Sequence, residues 1–339
     1  MIAIHNNKSK HLFQYLWIDY CNANNIPYKL VDCYSNDIVE ELKGCSALMW
    51  HYNQAGFKDI VMAKSLLFSL EQSGMNVFPN FNTAWHFDDK VGQKYLLEAL
   101  KINLVKTWVF YDRETAKQWI EQTSFPKVFK LRGGAGSQNV RLVHSKKEAD
   151  LLVKKAFGKG FPAYDGWGSL KERIRKWRLG KANAKEVVKG IVRMVQPPRY
   201  AKVIGSEMNY LYFQEFIPNN DSDIRIVVID GKAFGIKRMN RENDFRASGS
   251  GFIRYEKEQI DEIFVKEAFA IHKKLNAQCI AYDFVYDADK KPLVIEISFG
   301  FANAGYNDCE GYWDELLQWY PGKFNPYGWM VELMRTNAK

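Results

Sequence analysis

The stretch AYDFVYDADKKPLVIEIS, Ala281 to Ser298, carries two apolar runs on either side of a polar turn, Asp287 to Lys291. Runs rich in β-branched and aromatic residues and separated by turn formers read as the two strands of a hairpin, here Gln278 to Tyr286 and Pro292 to Ser298. If Tyr286 pairs with Leu293 across a six-residue loop, Asp283 falls directly opposite Glu296. Two carboxylates paired in this way stand only ~5 Å apart, and their repulsion opposes the hairpin. A divalent cation held between them removes the conflict. Magnesium is commonly bound by one or two carboxylates together with nucleotide phosphates, and manganese accepts the same oxygen donors. A slipped register would instead leave both groups on a solvated hairpin face.

Three stretches upstream bear on whether a nucleotide belongs beside that pair. In FPKVFKLRGGAGSQNV, 125–140, a strand runs through Lys130 into Gly133-Gly134-Ala135-Gly136-Ser137, whose small residues allow backbone N–H groups to approach phosphate oxygens. It contains neither GxxxxGK[ST] nor GxGxxG, so by itself it reads equally as a plain hairpin turn. In YFQEFIPNNDSDIR, 212–225, one strand ends and another begins. There Gln214 and Glu215 can offer backbone groups and a carboxylate to an adenine amino group, and Asp223 can accept from ribose hydroxyls, unless the segment is an ordinary polar loop. In KRMNRENDFRASGSG, 237–251, Lys237, Arg238, Arg241 and Arg246 sit among glycines and serines, as suits either a clamp over phosphates or a surface loop. An Asp230-Gly231 turn joins apolar strands, Ile224 to Ile229 and Lys232 to Arg238. Which face of that hairpin meets a ligand is open, so Arg225, Lys237 and Arg238 are secondary candidates.

Further out, residues 1–88 alternate strand and helix patterns: apolar Met1 to Ile4, amphipathic Leu12 to Asn24, Tyr28 to Val31, Ala47 to Trp50 and helical Asp59 to Gln72. This predicts a small α/β layer with a parallel sheet. Residues 89–300 follow as a mixed α+β region interrupted by an insert at 156–208, and residues 301–339 form an aromatic C-terminal extension. Of the formal net charge of +9, +8 falls between Lys171 and Glu207, where eleven basic residues face three acidic ones. Such a segment suits an acidic polymer, a uronic-acid glycan, an acidic peptide or an anionic membrane surface, or it is simply a solvated basic helix pair. Nucleic acid is disfavoured because no recognised binding module accompanies the charge. The five cysteines show no CxxC pairing, which points to a reducing, cytoplasmic setting. No stretch reads as a signal core or a membrane span. The six histidines are scattered, and no Ser-His-Asp or Cys-His arrangement is evident.

Taken in order, these residues resemble the ATP-grasp superfamily, and in spacing the branch containing glutathione synthetase and the ribosomal-protein glutamate ligase. The resemblance runs from about Asp88 to Ser298, with the first residues similar to the family's N-terminal domain. It implies an ATP-grasp fold of the α/β (α+β) class, an N-terminal α/β layer and two α+β subdomains clamping ATP. The lysine in His86-Phe87-Asp88-Asp89-Lys90 and Lys130 then bind phosphates, Glu215 and Phe216 with Ile217 form the adenine hinge, and Asp223 takes the ribose. Phe245-Arg246-Ala247-Ser248 resembles the family's loop arginine pattern. Asp283 and Glu296 become magnesium ligands, one or two ions being held. Where the family writes Glu-x-Asn, this chain has Glu296-Ile297-Ser298, and a hydroxyl reaches less far and binds more weakly than an amide oxygen.

The resemblance implies transfer of the γ-phosphoryl group of ATP to a substrate carboxylate and capture of the acyl phosphate by an amine, with Lys130, Arg225 and Arg246 as the charge-stabilising residues. Cell-surface polysaccharide or a peptide-like product is the expected context, with an anionic small molecule, glycan or peptide as substrate. A kinase acting on a sugar or polyol hydroxyl, and a non-catalytic anion-binding module, are the competing expectations.

Overall fold

The structure, a computed structural model, describes residues 1–7, 12–134, 139–178, 180, 182–242 and 244–336. The first layer is built from β1 (Ile2–His5), α1 (Gln14–Ala23), β2 (Tyr28–Val31), α2 (Ile38–Glu41), β3 (Ala47–Met49), α3 (Phe57–Gln72) and β4 (Asn76–Phe78). Its strands form a parallel sheet in the order β2-β1-β3-β4, as the alternation of apolar strands and amphipathic helices predicts. The helices α4 (Phe81–Ala84) and α5 (Lys90–Ala99) lead out of it. Asp89 caps α5 by accepting from Gly92 N at 2.9 Å, so the helix starts at Lys90.

The second unit contains β5 (Thr107–Phe110), α6 (Arg113–Gln122), β6 (Lys127–Lys130), β7 (Arg141–Val143) and α7 (Lys146–Ala156). The insert follows as β8 (Phe161–Pro162), α8 (Gly166–Arg178), α9 (Ala184–Val195), α10 (Arg199–Ile204) and β9 (Ser206–Glu207). Strand β10 (Leu211–Glu215) then returns to the centre of an antiparallel sheet ordered β5-β10-β6-β7. Phe129, Phe213, Ile120 and Val153 anchor a core belonging to this unit alone.

The third unit is a larger sheet: β11 (Ser222–Ile229), β12 (Lys232–Met239), β13 (Ile253–Arg254), α11 (Glu262–Leu275), β14 (Cys279–Tyr286), β15 (Pro292–Ser298), β16 (Gly311–Asp314) and β17 (Trp319–Pro321), followed by α12 (Pro326–Thr336). Strand alternation divides β11 between two cores. Ile224, Ile226 and Val228 pack with Phe264, Ala268 and Ile271 of α11. Val227 and Ile229 pack with Trp17, Phe78, Phe234 and Met330. The first layer contributes to both cores, and so does the aromatic tail, through Trp313 in one and Met330, Val331 and Met334 in the other. Tyr20 of α1 donates to Glu332 of α12 at 3.0 Å.

Strands β14 and β15 form the expected hairpin, in a register that differs near its turn. Tyr286 pairs with Pro292, not Leu293, so the register near the turn is one residue tighter than expected. A bulge between Asp283 and Phe284 then restores the pairing of Asp283 with Glu296, because Ile295 is the extra residue on β15.

Candidate functional site

On the face that carries Val227 and Ile229 deeper in the sheet, the same alternation along β11 brings Arg225 and Asp223 outward, beside Arg238 of β12 and Asp283 of β14. The apolar core thus passes directly into a charged wall. That wall and the second sheet bound a cavity of about 480 Å³. Val105, Val128, Val285 and Ile295 supply its apolar lining, next to the chain at Glu215, Phe216 and Ile217 where it leaves β10. Lys90, Lys130, Arg225 and Arg246 supply cations, and Asp88, Asp283 and Glu296 supply carboxylates.

Each charge is held by a specific neighbour. Lys130 is enclosed between β6 and β10 and donates to Gln214 Oε1 at 2.6 Å. Burial lowers its pKa to about 8, against the pull of Glu296 in the opposite direction. Lys90 donates to Gly134 O at 2.8 Å and lies 3.1 Å from Glu296 Oε1. Burial lowers its pKa as well, but Glu296 and Asp88 outweigh that and leave it raised. Arg225 grips Asp283 through one guanidinium edge, Nε and Nη2 donating to the two carboxylate oxygens at 2.5 and 2.7 Å, and Arg238 reaches Asp283 at 2.9 Å. Burial alone would raise the Asp283 pKa, yet the two guanidiniums hold this carboxyl well below the usual range. Tyr306, from the tail, adds an electrostatic contact to Arg225.

The glycine-rich turn is engaged by the protein's own carboxylates. Gly134 N donates to Asp88 Oδ1 at 2.8 Å, and Arg132 N and Gly133 N donate to Glu207 at 3.0 and 3.3 Å. Gly134 has φ +109°, a conformation that L side chains rarely adopt. Burial raises the Asp88 pKa to about 6, with Lys90 and Gly134 N opposing the shift.

Lys90, Lys130, Gly134, Gln214, Glu215, Phe216, Ile217, Asp223, Arg225, Arg246, Ser248, Asp283, Glu296 and Ser298 all line this one cavity. Lys237 does not, because it pairs with Ile224 on the α11 side of the sheet. Ala135, Gly136 and Ser137 lie outside the described residues. Three of these side chains have partners within the chain. The Glu215 carboxylate pairs with Lys127 at 2.9 Å, leaving the backbone at 215–217 as the polar edge of the apolar wall. The Gln214 side chain holds Lys130 and also donates to Thr107 Oγ1 at 3.2 Å. Asp223 is held by Arg238 through one guanidinium edge, Nε and Nη2 donating to its two oxygens at 2.6 and 2.7 Å. The like-charge conflict at Asp283 and Glu296 is relieved here by Arg225, Arg238 and Lys90.

Sequence reasoning missed the wall supplied by the first layer, His51, Asn53 and Gln54. The available signal was the polar run His51 to Gln54 directly after the β3 strand pattern, since loops at the carboxyl ends of parallel strands bind ligands. His51 accepts from Phe13 N at 3.1 Å, and burial lowers its pKa to about 3. It is therefore a neutral part of the wall.

The donor set fits a magnesium ion in part. Glu296 offers a partly exposed carboxylate, and Ser298 donates to Gly300 O at 2.8 Å, leaving its oxygen lone pairs available to a cation. Asp283 would have to share its oxygens with two guanidiniums. Among the described residues no group of three or more His, Cys, Asp or Glu is arranged to hold a metal, so phosphate oxygens would have to complete any such site.

Comparison with known proteins bears on the fold. A family model described as the RimK-like ATP-grasp domain matches residues 188–311. Among solved structures, a RimK domain ATP-grasp protein from Sphaerobacter thermophilus aligns with TM-score 0.56 and 14% identity, covering 99% of this chain and 100% of that one. D-cycloserine synthetase DcsG aligns with TM-score 0.60 and 12% identity, covering 99% of each chain. The ATP-grasp ligase PsnB, solved with a minimal precursor, Mg and ADP, aligns with TM-score 0.55 and 12% identity, covering 99% of this chain and 98% of its own. No curated protein matches.

Proposed function

We propose, for a chain that has the ATP-grasp fold and matches the RimK-like ATP-grasp domain over residues 188–311, that it is a magnesium-dependent ligase joining a carboxylate to an amine at the expense of ATP. The observation that carries this reading is the convergence of four cations and the Asp283–Glu296 pair on one cavity that also has an apolar wall. Val105, Val128, Val285 and Ile295 suit a purine face, and the backbone at Glu215 to Ile217 suits its polar edge. Lys90, Lys130 and Arg246 suit the phosphates, whose transfer depends on positioning and charge neutralisation.

A magnesium ion held by Glu296 and Asp283, with Ser298 nearby, would neutralise phosphate charge. The chain's own residues prepare the site. Gln214 fixes the Lys130 ammonium, and Arg225 with Arg238 keeps Asp283 ionised. In the reaction a carboxylate oxygen attacks the γ-phosphorus and the bond to ADP breaks. An amine nitrogen then attacks the acyl carbon, phosphate leaves with the carbon–oxygen bond pair, and the nitrogen loses a proton.

A second cavity of about 510 Å³ shares Asn53, Gln54, Phe87 and Asp88 with the first and is a suitable place for the acceptor. Of the two expected contexts, peptide-like product and cell-surface polysaccharide, the PsnB structure with a precursor peptide supports the first. The five free cysteines, four of them buried, support a reducing cytoplasmic setting. Incubation with MgATP and a panel of carboxylates and amines tests the proposal. A ligase releases inorganic phosphate and a condensed product, whereas product mass increased by a phosphoryl group would replace this reading with a kinase.

A further inference from the structure

We propose that helix α9 docks the protein on an anionic lipid surface. In α9 the residues Val188, Ile191, Val192 and Val195 recur at the spacing of one helical face, the spacing that normally marks the buried side of a helix. In α11 the comparable stripe, Phe264, Val265, Ala268, Ile271 and Leu275, is buried. In α9 the stripe is 59, 54, 52 and 84% exposed, respectively.

The inversion has a local cause. Gly190 is the buried residue of α9, and a Cβ there would lie 3.0 Å from Leu170 Cδ1 and 2.9 Å from Arg173 Cδ of α8. The helix pair therefore closes on its small-residue side. At 100° per residue the aliphatic stripe is turned away from that contact, toward solvent. No singly scattered apolar residue would require explanation, but a contiguous stripe does.

Charge identifies the occupant. Lys185 and Lys189 run along one edge of the stripe, within the segment that carries +8 of the formal +9. The acids on these helices offset only part of this charge, Glu172 pairing with Arg175 at 2.8 Å and Glu186 with Arg173 and, at 3.5 Å, with Lys189. Trp167 and Trp177 of α8 are exposed alongside this basic charge. A protruding aliphatic ridge with lysines on its flank matches an interfacial helix, which enters a headgroup layer without needing a complementary groove. Its positive charge selects anionic over neutral lipid. Along the chain the same insert continues to Ile204, Ser206, Glu207 and Met208, which line the second cavity. Docking through α9 would therefore leave the nucleotide machinery intact while setting the orientation of that cavity toward the surface.

The full chain should be sedimented with phosphatidylcholine vesicles, with and without phosphatidylglycerol. Wild type is expected to partition onto the anionic vesicles on the order of tenfold or more above the neutral ones, and to come off as salt rises. Serine at Val188, Ile191, Val192 and Val195 together should remove most of that binding, and Lys185→Glu with Lys189→Glu should weaken it severalfold. Both variants should keep wild-type melting and MgADP binding, because none of these positions lines the cavity. A folded wild type that ignores anionic vesicles overturns the proposal. So does a stripe variant that binds vesicles as wild type does, or one whose only change is loss of a concentration-dependent dimer. Saturable binding of an acidic polyglutamate peptide in place of vesicles would assign the face to a protein partner and equally overturn it.

Discussion

Lys130 shows how burial sets both the stability and the chemistry of a residue. Its pKa falls to about 8 because burial penalises the ammonium more than Glu296 favours it. The folded state therefore releases this proton at a lower pH than the unfolded chain. The penalty is fully present below about pH 8 and is relieved as pH rises from there toward the ordinary lysine value. Nucleotide affinity should change in the opposite direction, falling above pH 8 as the cation is lost. Lys130→Met is expected to bind MgADP roughly tenfold or more weakly, in line with a charge-assisted hydrogen bond, and to show no such fall between pH 7.5 and 9 by calorimetry. A wild-type affinity that is flat across that interval would contradict the assignment. Asp88 presents the mirror case. Its φ of +56° suits Asn equally, and its pKa is raised to about 6 by burial, so its charge costs stability above that pH and not near pH 4. Asp88→Asn should raise the melting temperature at pH 7, lose that advantage toward pH 4, and bind MgADP more tightly, since a negative charge beside Lys90 no longer opposes the phosphates. Unchanged melting at both pH values would dismiss the effect.

At the scale of elements, the cap of α5 ties helix formation to the site. Asp89 satisfies Gly92 N and pairs with Arg132 at 2.6 Å, and the residue it positions next is Lys90. Asp89→Ala should cost about 1 kcal/mol of stability, the usual worth of such a cap, and weaken nucleotide binding as well. A thermal melt beside a binding isotherm separates the two effects, and loss of stability without loss of affinity would show that the cap does not set Lys90. The hairpin of β14 and β15 was legible because polar Asp283 and Glu296 interrupt two apolar strands around a recognisable turn. Its bulge was not, since Leu293, Val294 and Ile295 are all apolar and alternation cannot show where an extra residue enters. The same limit applied to β12. Both faces of β11 are buried, so hydrophobicity did not say whether Lys237 or Arg238 lies on the side of the sheet that carries Asp223 and Asp283, and pairing decides for Arg238. The partners of the Gln214 and Glu215 side chains were not legible for a related reason: Lys130 and Lys127 lie on a strand distant in sequence.

Across the whole molecule, the first layer, the large sheet and the tail share two cores, and the second unit keeps its own. The cavity lies where they meet, which is why its motifs were readable one by one while the wall from His51 to Gln54 and the second cavity, assembled from separated segments, were not. Packing of the tail is testable at Gly328, where a Cβ would lie 2.4 Å from the Tyr20 ring. Gly328→Ala should cost about 1–3 kcal/mol by overpacking, and should lower the melting of the first layer and large sheet together, because α1 and α12 share one core. Whether this cavity holds a magnesium nucleotide is decided by calorimetry with ADP, with and without magnesium, on wild type, Lys130→Ala and Glu296→Gln. Wild type should bind saturably and more strongly with magnesium, Lys130→Ala weakly, and Glu296→Gln with little sensitivity to magnesium. A folded wild type that binds no nucleotide, or variants indistinguishable from it, would show that the cavity serves another ligand.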